Sequence, residues 1–131
     1  LAIFISFGAE AAQQKTVPTL VTCEQNDGDH WIEVGIALND GAGLKMLVVA
    51  HNEDNRSAKL IATERVMERR LDSLTWVYAN QEDNAHLVVS KNPRTGAFTG
   101  DYAVIKEGPN SGREPGMVCF WRSSISFQTG R

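Results

Sequence analysis

The two cysteines of this chain, Cys23 and Cys119, are the residues whose chemistry is easiest to anticipate. They lie near opposite ends of a 131-residue sequence, each in a strand-like segment. The sequence has no C-x-x-C pair and no neighbouring histidine cluster that would make either cysteine a zinc ligand. Two cysteines in an exported chain usually pair, whereas in a reducing compartment they would be two buried thiols. We predict a disulfide between Cys23 and Cys119.

The groups that could catalyse a reaction do not form a recognisable constellation. His30, His51 and His86 each fall at a turn or a strand end, and none has a second histidine at the spacing of a metal site. The Gly-x-Ser-x-Gly elbow of serine hydrolases is missing. Glu64 and Glu68 could act as a carboxylate pair, but their spacing equally suits a solvated face of one strand or helix. We therefore predict no enzyme, no metal site and no cofactor.

A long loop is the first candidate for binding. Residues 106–116 read Lys-Glu-Gly-Pro-Asn-Ser-Gly-Arg-Glu-Pro-Gly, which exceeds the usual hairpin loop of about two to five residues. Long loops on a rigid β scaffold often carry binding. Arg113 is the predicted contact anchor, because arginine is favoured at binding hot spots, and Asn110 and Glu114 accompany it.

The three tryptophans are the second candidate. Trp31, Trp76 and Trp121 all fall in predicted strands, so their rings can project into the interior of a β domain. Aromatic side chains favour ligand pockets, although they also fill cores of this size. The tryptophans are therefore predicted to line either an apolar ligand pocket or a packed core.

The elements that must position these residues read as strands. Residues 31–38 alternate apolar with small or polar side chains, which is the period of a strand, and residues 44–51 are a continuous apolar run typical of a strand covered on both faces or in a barrel wall. Turn residues separate the runs. The predicted strands are 16–24, 31–38, 44–51, 59–71, 74–79, 85–90, 97–105 and 117–127, followed by a frayed tail over 128–131.

Residues 59–71 are compatible with two structures. Their composition includes good helix formers, and Leu60, Met67 and Leu71 share a helical face. The alternation of Leu60, Ala62 and Val66 instead fits a long strand with charged residues on its other face. Because every flanking element is strand-like, we favour a strand and keep one short helix near 62–71 as the alternative.

These elements predict a mainly β fold. About eight antiparallel strands, joined mostly by short turns, fit a small meander barrel or a two-layer sandwich. A bond between Cys23 and Cys119 would join the first strand to the last, which is the one pair in a meander barrel that no hairpin connects. We therefore expect the disulfide at the strand pair that closes the sheet.

Gly100 shares one face of the strand 97–105 with Phe98 and Tyr102. We predict that it lets these rings pack past a close neighbour, or that it marks a bulge. The seven residues Gly96-Ala97-Phe98-Thr99-Gly100-Asp101-Tyr102 resemble the second-strand motif of avidins. Gly-x-Phe-x-Gly also arises from hairpin packing, so we interpret the motif as shared β chemistry and assign no family.

The first eleven residues resemble the end of a secretory signal peptide. They begin with an apolar, uncharged run, and Ala9 and Ala11 have the A-x-A spacing of a cleavage site. The run is shorter than the roughly 20 residues that span a bilayer; residues 3–7 as a genuine first strand are the alternative. We predict that 1–11 is a signal remnant, that 12–131 is a single β-rich domain, and that the protein is secreted or periplasmic without stable membrane insertion.

Charge and motifs limit the functions to consider. A net charge of -3 on 131 residues is too mild to indicate a nucleic-acid partner. The leading hypothesis is an exported, non-catalytic binding protein with an unknown protein partner, either an inhibitor or an envelope component. Its size, signal and disulfide are similar to those of periplasmic lysozyme-inhibitor barrels, with no shared motif. The alternatives are a carrier of a small apolar ligand inside the barrel and, third, a hydrolase.

Overall fold

The computed structural model describes residues 13–25, 28–39, 41, 43–105 and 112–129. These residues form ten strands and no helix, so the mainly β prediction is confirmed and the helix alternative for 62–71 is wrong. None of the described residues therefore belongs to a helix able to cross a membrane. The strands are β1 Gln13–Pro18, β2 Val21–Glu24, β3 His30–Leu38, β4 Leu44–Asn52, β5 Ser57–Asp72, β6 Thr75–Ala79, β7 Ala85–Lys91, β8 Phe98–Val104, β9 Gly112–Trp121 and β10 Ser124–Thr129.

Strands β2 to β9 form a closed meander barrel. Each pairs antiparallel with the next strand in the sequence, and β2 pairs antiparallel with β9. The long β5 makes closure possible, because its first part pairs with β4 and its last part, from Met67 onward, pairs with β6. The barrel alternative is thus confirmed over the sandwich.

Strands β1 and β10 lie outside the barrel and pair antiparallel with each other; we call them the outer ribbon. β10 also meets β5 in a parallel pairing of Gln128 with Lys59. The predicted frayed tail is wrong for residues 128–129, which belong to β10. Residues 1–11, the predicted signal remnant, lie outside the described residues.

The outer ribbon exists because two predicted strands each turn a corner. The continuous strands expected over 16–24 and 117–127 are wrong: the first breaks after Pro18 and the second after Trp121. Arg122 adopts a left-handed backbone with φ of 54°, which a strand cannot accommodate. Each of the two segments therefore leaves the barrel at a corner, at residues 19–20 and 122–123, and continues into the ribbon.

The two corners are joined by backbone hydrogen bonds. The Arg122 amide donates to the Leu20 carbonyl at 2.8 Å, and the Thr19 amide donates to the Ser123 carbonyl at 3.0 Å. These bonds satisfy backbone groups that the interrupted strands would otherwise leave unpaired. The entry to β2 and the exit from β9 are consequently held side by side.

The barrel wall under the outer ribbon is buried on both faces. Met46 and Val48 of β4 pack in the barrel interior, while Leu47 and Val49 pack outward against the ribbon. This two-sided burial explains the continuous apolar run of 44–51, as the sequence predicted. The second core cluster consists of Ala37, Leu47, Val49, Ile125 and Phe127, with Val17 and Ala58 packed against it.

The predicted loop over 106–116 is wrong in its second part. β9 begins at Gly112, so residues 112–116 are strand, and residues 106–111 lie outside the described residues. Gly116 has φ of 69° and sits where the β8–β9 register shifts, which is a bulge. Its amide donates to Asp101 Oδ1 at 2.9 Å. The Gly-Pro composition therefore marks a bulged strand.

Cys23 and Cys119 form the predicted disulfide. They lie directly opposite each other on β2 and β9, so the bond links the two strands that close the barrel. A Cβ on Gly100 of the neighbouring β8 would lie 2.7 Å from both sulfurs. The predicted close neighbour of Gly100 is thus the disulfide itself.

Reduction of the disulfide should destabilise the barrel strongly. The bond closes a loop with a sequence separation of 96, for which chain entropy gives a stabilisation of about 4–5 kcal/mol. We expect a reducing agent to lower the melting temperature by roughly 10 °C in a thermal scan followed by circular dichroism. An unchanged melting curve, or two titratable thiols in the native protein, would contradict this.

Replacing Gly100 by alanine should destabilise the protein by about 1–3 kcal/mol, because the added methyl overpacks the disulfide. Urea unfolding measures the change. Gly112→Ala is the matched control, since its Cβ would have no atom within 4 Å. In a variant with both cysteines changed to alanine, Gly100→Ala should lower the free energy of unfolding by less. An equal cost in both backgrounds would show that the sulfurs are not the obstacle.

Candidate functional site

Three aromatic rings converge at one end of the barrel. Trp76 and Trp121 have ring centroids 5.1 Å apart and an interplanar angle of 62°. Phe98 lies 5.6 Å from Trp121 and 5.8 Å from Trp76. Edge-on and tilted contacts of this kind suit the quadrupoles of aromatic rings. The sequence reasoning identified both tryptophans as site candidates but not Phe98.

The strand ends explain why these rings meet. Trp76 is the second residue of β6, Phe98 begins β8 and Trp121 ends β9. Side chains two apart on a strand share a face, and each ring lies two residues from a position buried in the barrel interior. Those buried positions are Tyr78, Gly100 and Cys119. The rings therefore cover one end of a filled core.

The rings border a cavity of about 430 Å³. We call this site the aromatic cup; its lining residues are Leu20, Glu68, Trp76, Phe98, Trp121 and Arg122. The volume falls within the range of small-molecule sites. Leu20 and Arg122 belong to the two corners that lead to the outer ribbon. The site is therefore assembled from both the barrel and its connections to that ribbon.

Glu68 supplies the carboxylate of the cup. Its Oε2 accepts a hydrogen bond of 2.7 Å from the Tyr78 hydroxyl, so Glu68 faces inward. Glu68 is nevertheless exposed, as the predicted solvated face requires. Glu64 is half-buried, and its Oε1 accepts from Asn80 Nδ2 at 2.9 Å. Burial, reinforced by Glu68, raises the pKa of Tyr78. The phenol thus stays protonated and continues to donate to Glu68.

Two cations lie over the aromatic rings. The Arg70 guanidinium carbon is 4.3 Å from the Trp76 ring centroid, and Lys91 Nζ is 5.8 Å from the Phe98 centroid. Arg70 also donates to the Asp72 and Ser73 carbonyls, at 3.3 and 2.8 Å. Cation–π contacts of this geometry are attractive, and the backbone bonds fix the guanidinium in place.

Trp31 lies apart from the other tryptophans. It is on the opposite face of β3 from Val34 and Ile36, which belong to the interior core. Its ring stacks on His51 with a centroid separation of 3.8 Å and an angle of 4°. The structure therefore brings two of the three predicted tryptophans together and leaves Trp31 on the outer wall.

His51 is held by a neighbouring carboxylate on that wall. Its Nε2 lies 2.9 Å from Glu33 Oε1. Burial raises the pKa of Glu33, Glu24 raises it further, and the hydrogen bond and charge of His51 oppose the shift. Burial disfavours the charged form of a carboxylate, so the free energy of unfolding should depend on pH through Glu33.

The loop candidates lie away from the cup. Arg113 and Glu114 are in β9 and pair with Ala103 and Tyr102 near the end of β8, whereas Phe98 of the cup begins that strand. Arg113 is exposed. Asn110 lies outside the described residues. The predicted binding residues therefore fall into separate regions.

The cup is distinguished from the other cavities by its aromatic lining. A hollow of about 580 Å³ lies beside β5, but Met67 is the only apolar residue that lines it; the others are Thr63, Glu64, Arg65, Asn80, Gln81 and Glu82. Within the described ranges, no group of three histidine, cysteine or acidic residues could hold a metal ion. The aromatic cup is thus the candidate site for an organic ligand.

Comparison of the chain with protein families, curated proteins and solved structures found no match. The candidate site therefore rests on its own geometry. The disulfide suggests an oxidising environment, because such bonds persist in oxidising compartments.

The outer-wall cluster predicts a pH effect on stability. Because the pKa of Glu33 is raised above its ordinary value of 4.5, the folded state keeps a proton that the unfolded state has released. The contribution of Glu33 to stability is therefore greatest at low pH and declines as pH rises above 4.5. Urea unfolding should show the stability of the native protein, relative to Glu33→Gln, falling through this range. A pH-independent difference would contradict the buried carboxylate.

Proposed function

We propose that this protein is an exported, non-catalytic binding protein that holds a small apolar ligand in the aromatic cup. The convergence of Trp76, Phe98 and Trp121 on one cavity is the observation that carries the proposal. Half-buried rings around an open cavity leave apolar surface that a ligand can cover. Ligand binding of this kind requires no set of catalytic residues.

The packed interior favours binding at the end of the barrel. Tyr78, Leu87 and Met117 are fully buried in the core below the rings, so a ligand would rest on the core rather than enter it. This refines the carrier that the sequence offered as an alternative to a protein-binding role, which placed the ligand inside the barrel. A filled core also keeps the site preorganised, which reduces the ordering cost of binding.

Secretion or export to the periplasm is part of the proposal. The disulfide supports an oxidising compartment, and the signal-like residues 1–11 motivate the route. The expectation of a protein partner or inhibitory role at residues 106–116 has weaker support, because Arg113 and Glu114 line none of the cavities described above. The aromatic cup is therefore the first site to test.

Ligand binding can be located through the indole N–H signals of the three tryptophans. We expect 2-naphthalenemethanol to shift the signals of Trp76 and Trp121 in a proton–nitrogen correlation spectrum. The Trp31 signal should stay in place, because that ring stacks on His51 outside the barrel. Phe98→Ala should weaken binding about tenfold, since it removes one wall of the site.

Trp31→Phe is the control variant and should bind like the native protein. Equal shifts of all three indole signals would indicate non-specific association. The absence of binding by a panel of neutral aromatic and alicyclic probes at millimolar concentration would overturn the proposed function.

A further inference from the structure

The aromatic cup is not a free cation-binding cage. Such cages use open ring faces to hold a ligand ammonium group. Here Arg70 already covers Trp76 at 4.3 Å and Lys91 approaches Phe98 at 5.8 Å. A cationic ligand would have to displace these groups and would bring a like charge close to them. Two of the three rings therefore already contact cations of the protein itself.

The Arg70 side chain and the Arg122 backbone are held by the fold. Arg70 cannot swing away without losing its hydrogen bonds to the Asp72 and Ser73 carbonyls. Arg122 lines the cup, and its backbone is fixed by the bond from its amide to the Leu20 carbonyl. Positive charge is thus a permanent property of this end of the barrel.

The nearby carboxylates already accept hydrogen bonds from the protein. Glu68 Oε2 accepts from the Tyr78 hydroxyl, and Asp72 Oδ1 accepts from the Leu74 amide at 2.8 Å. Glu68 lines the cup beside Arg122, and both carboxylates keep their charge, but the three cations Arg70, Lys91 and Arg122 outnumber Glu68 and Asp72 by one. This balance is electrostatically complementary to an anion.

We propose that the aromatic cup selects small aromatic acids, in which a planar apolar ring carries a carboxylate. The ring would pack on Trp121 and on the parts of Trp76 and Phe98 that line the cavity, and the carboxylate would face Arg122 and Lys91. Guanidinium and ammonium groups form charge-assisted hydrogen bonds with carboxylates, and these are about twice as strong as neutral ones. The inference rests on the proposed function, because it names the ligand class of the same site.

Three probes of one shape separate this inference from the proposed function. They are 2-naphthoate, the neutral 2-naphthamide and the cationic 2-naphthylmethylammonium, titrated by calorimetry and by the indole N–H signals. We expect 2-naphthoate to bind about tenfold more tightly than 2-naphthamide, with the cation weakest. The advantage of the anion should shrink as salt is raised to about 1 M, because exposed charges are then screened.

Two variants test the residues responsible. Arg122→Gly removes a guanidinium at a left-handed position that glycine adopts freely, so the fold should be kept; Lys91→Gln removes the second charge. Each should reduce the preference for 2-naphthoate over 2-naphthamide to within about threefold, and this ratio of affinities is the readout, because Arg122 also lines the cup. Arg113→Gln, at the other end of β8 and β9, is the matched control and should change neither affinity.

The outcomes distinguish the two claims. If none of the probes binds, the proposed function fails and the inference fails with it. If all three bind equally, or the cation binds best, the cup is a ligand site but its selection of acids is overturned. Equal effects of Arg113→Gln and Arg122→Gly would also overturn it, since they would show only a general response to net charge.

Discussion

The closing contact between β2 and β9 is the constraint on which the rest of the structure depends. Every other neighbouring pair in the barrel is consecutive in the sequence, whereas this pair brings together the first and last strands of the barrel through backbone pairing and the Cys23–Cys119 bond. Closure removes the free edges that an open sheet would expose. It also sets Trp121, two residues after Cys119, beside the start of β2. The position of the aromatic cup is thus a direct result of how the barrel closes.

The disulfide also dictates part of the interior. Its two sulfurs occupy the space where a side chain at Gly100 would stand, so β8 can approach only with a glycine there. Phe98 precedes this glycine on the same face and therefore reaches the cup at the end of the strand. The disulfide therefore affects three features: it links the strands that close the barrel, it requires glycine at position 100, and through that glycine it helps to place Phe98 at the cup.

The features that could be predicted from the sequence are those encoded within single segments. Alternation over 31–38, the apolar run over 44–51 and the pairing of the two cysteines were all recognisable, because each depends on local pattern or on simple chemistry. The apolar run over 44–51 was also compatible with a second layer that covers this strand. The identity of that layer, the outer ribbon, required the corners to be known.

The features that could not be predicted depend on residues far apart in the chain. Arg122 adopts a left-handed backbone that no local signal announces, since arginine is not a preferred residue there. The hydrogen bond of Glu68 could not be foreseen, because the Tyr78 hydroxyl becomes its neighbour only when β5 and β6 pair. Leu20 reaches the cup only because the two corners are bonded to each other. Of the six lining residues, sequence reasoning named Trp76 and Trp121 as binding candidates and missed the other four.

The outer ribbon gives the barrel two kinds of wall. β3 and β4 have an apolar layer on each face, one in the barrel interior and one under the ribbon. Trp76 and Phe98 come from β6 and β8, which contribute no residue to the core cluster under the ribbon. Leu20 and Arg122 stand at the bonded corners where the barrel meets the ribbon. The cup therefore lies on the boundary between the part of the barrel that the ribbon covers and the part outside it.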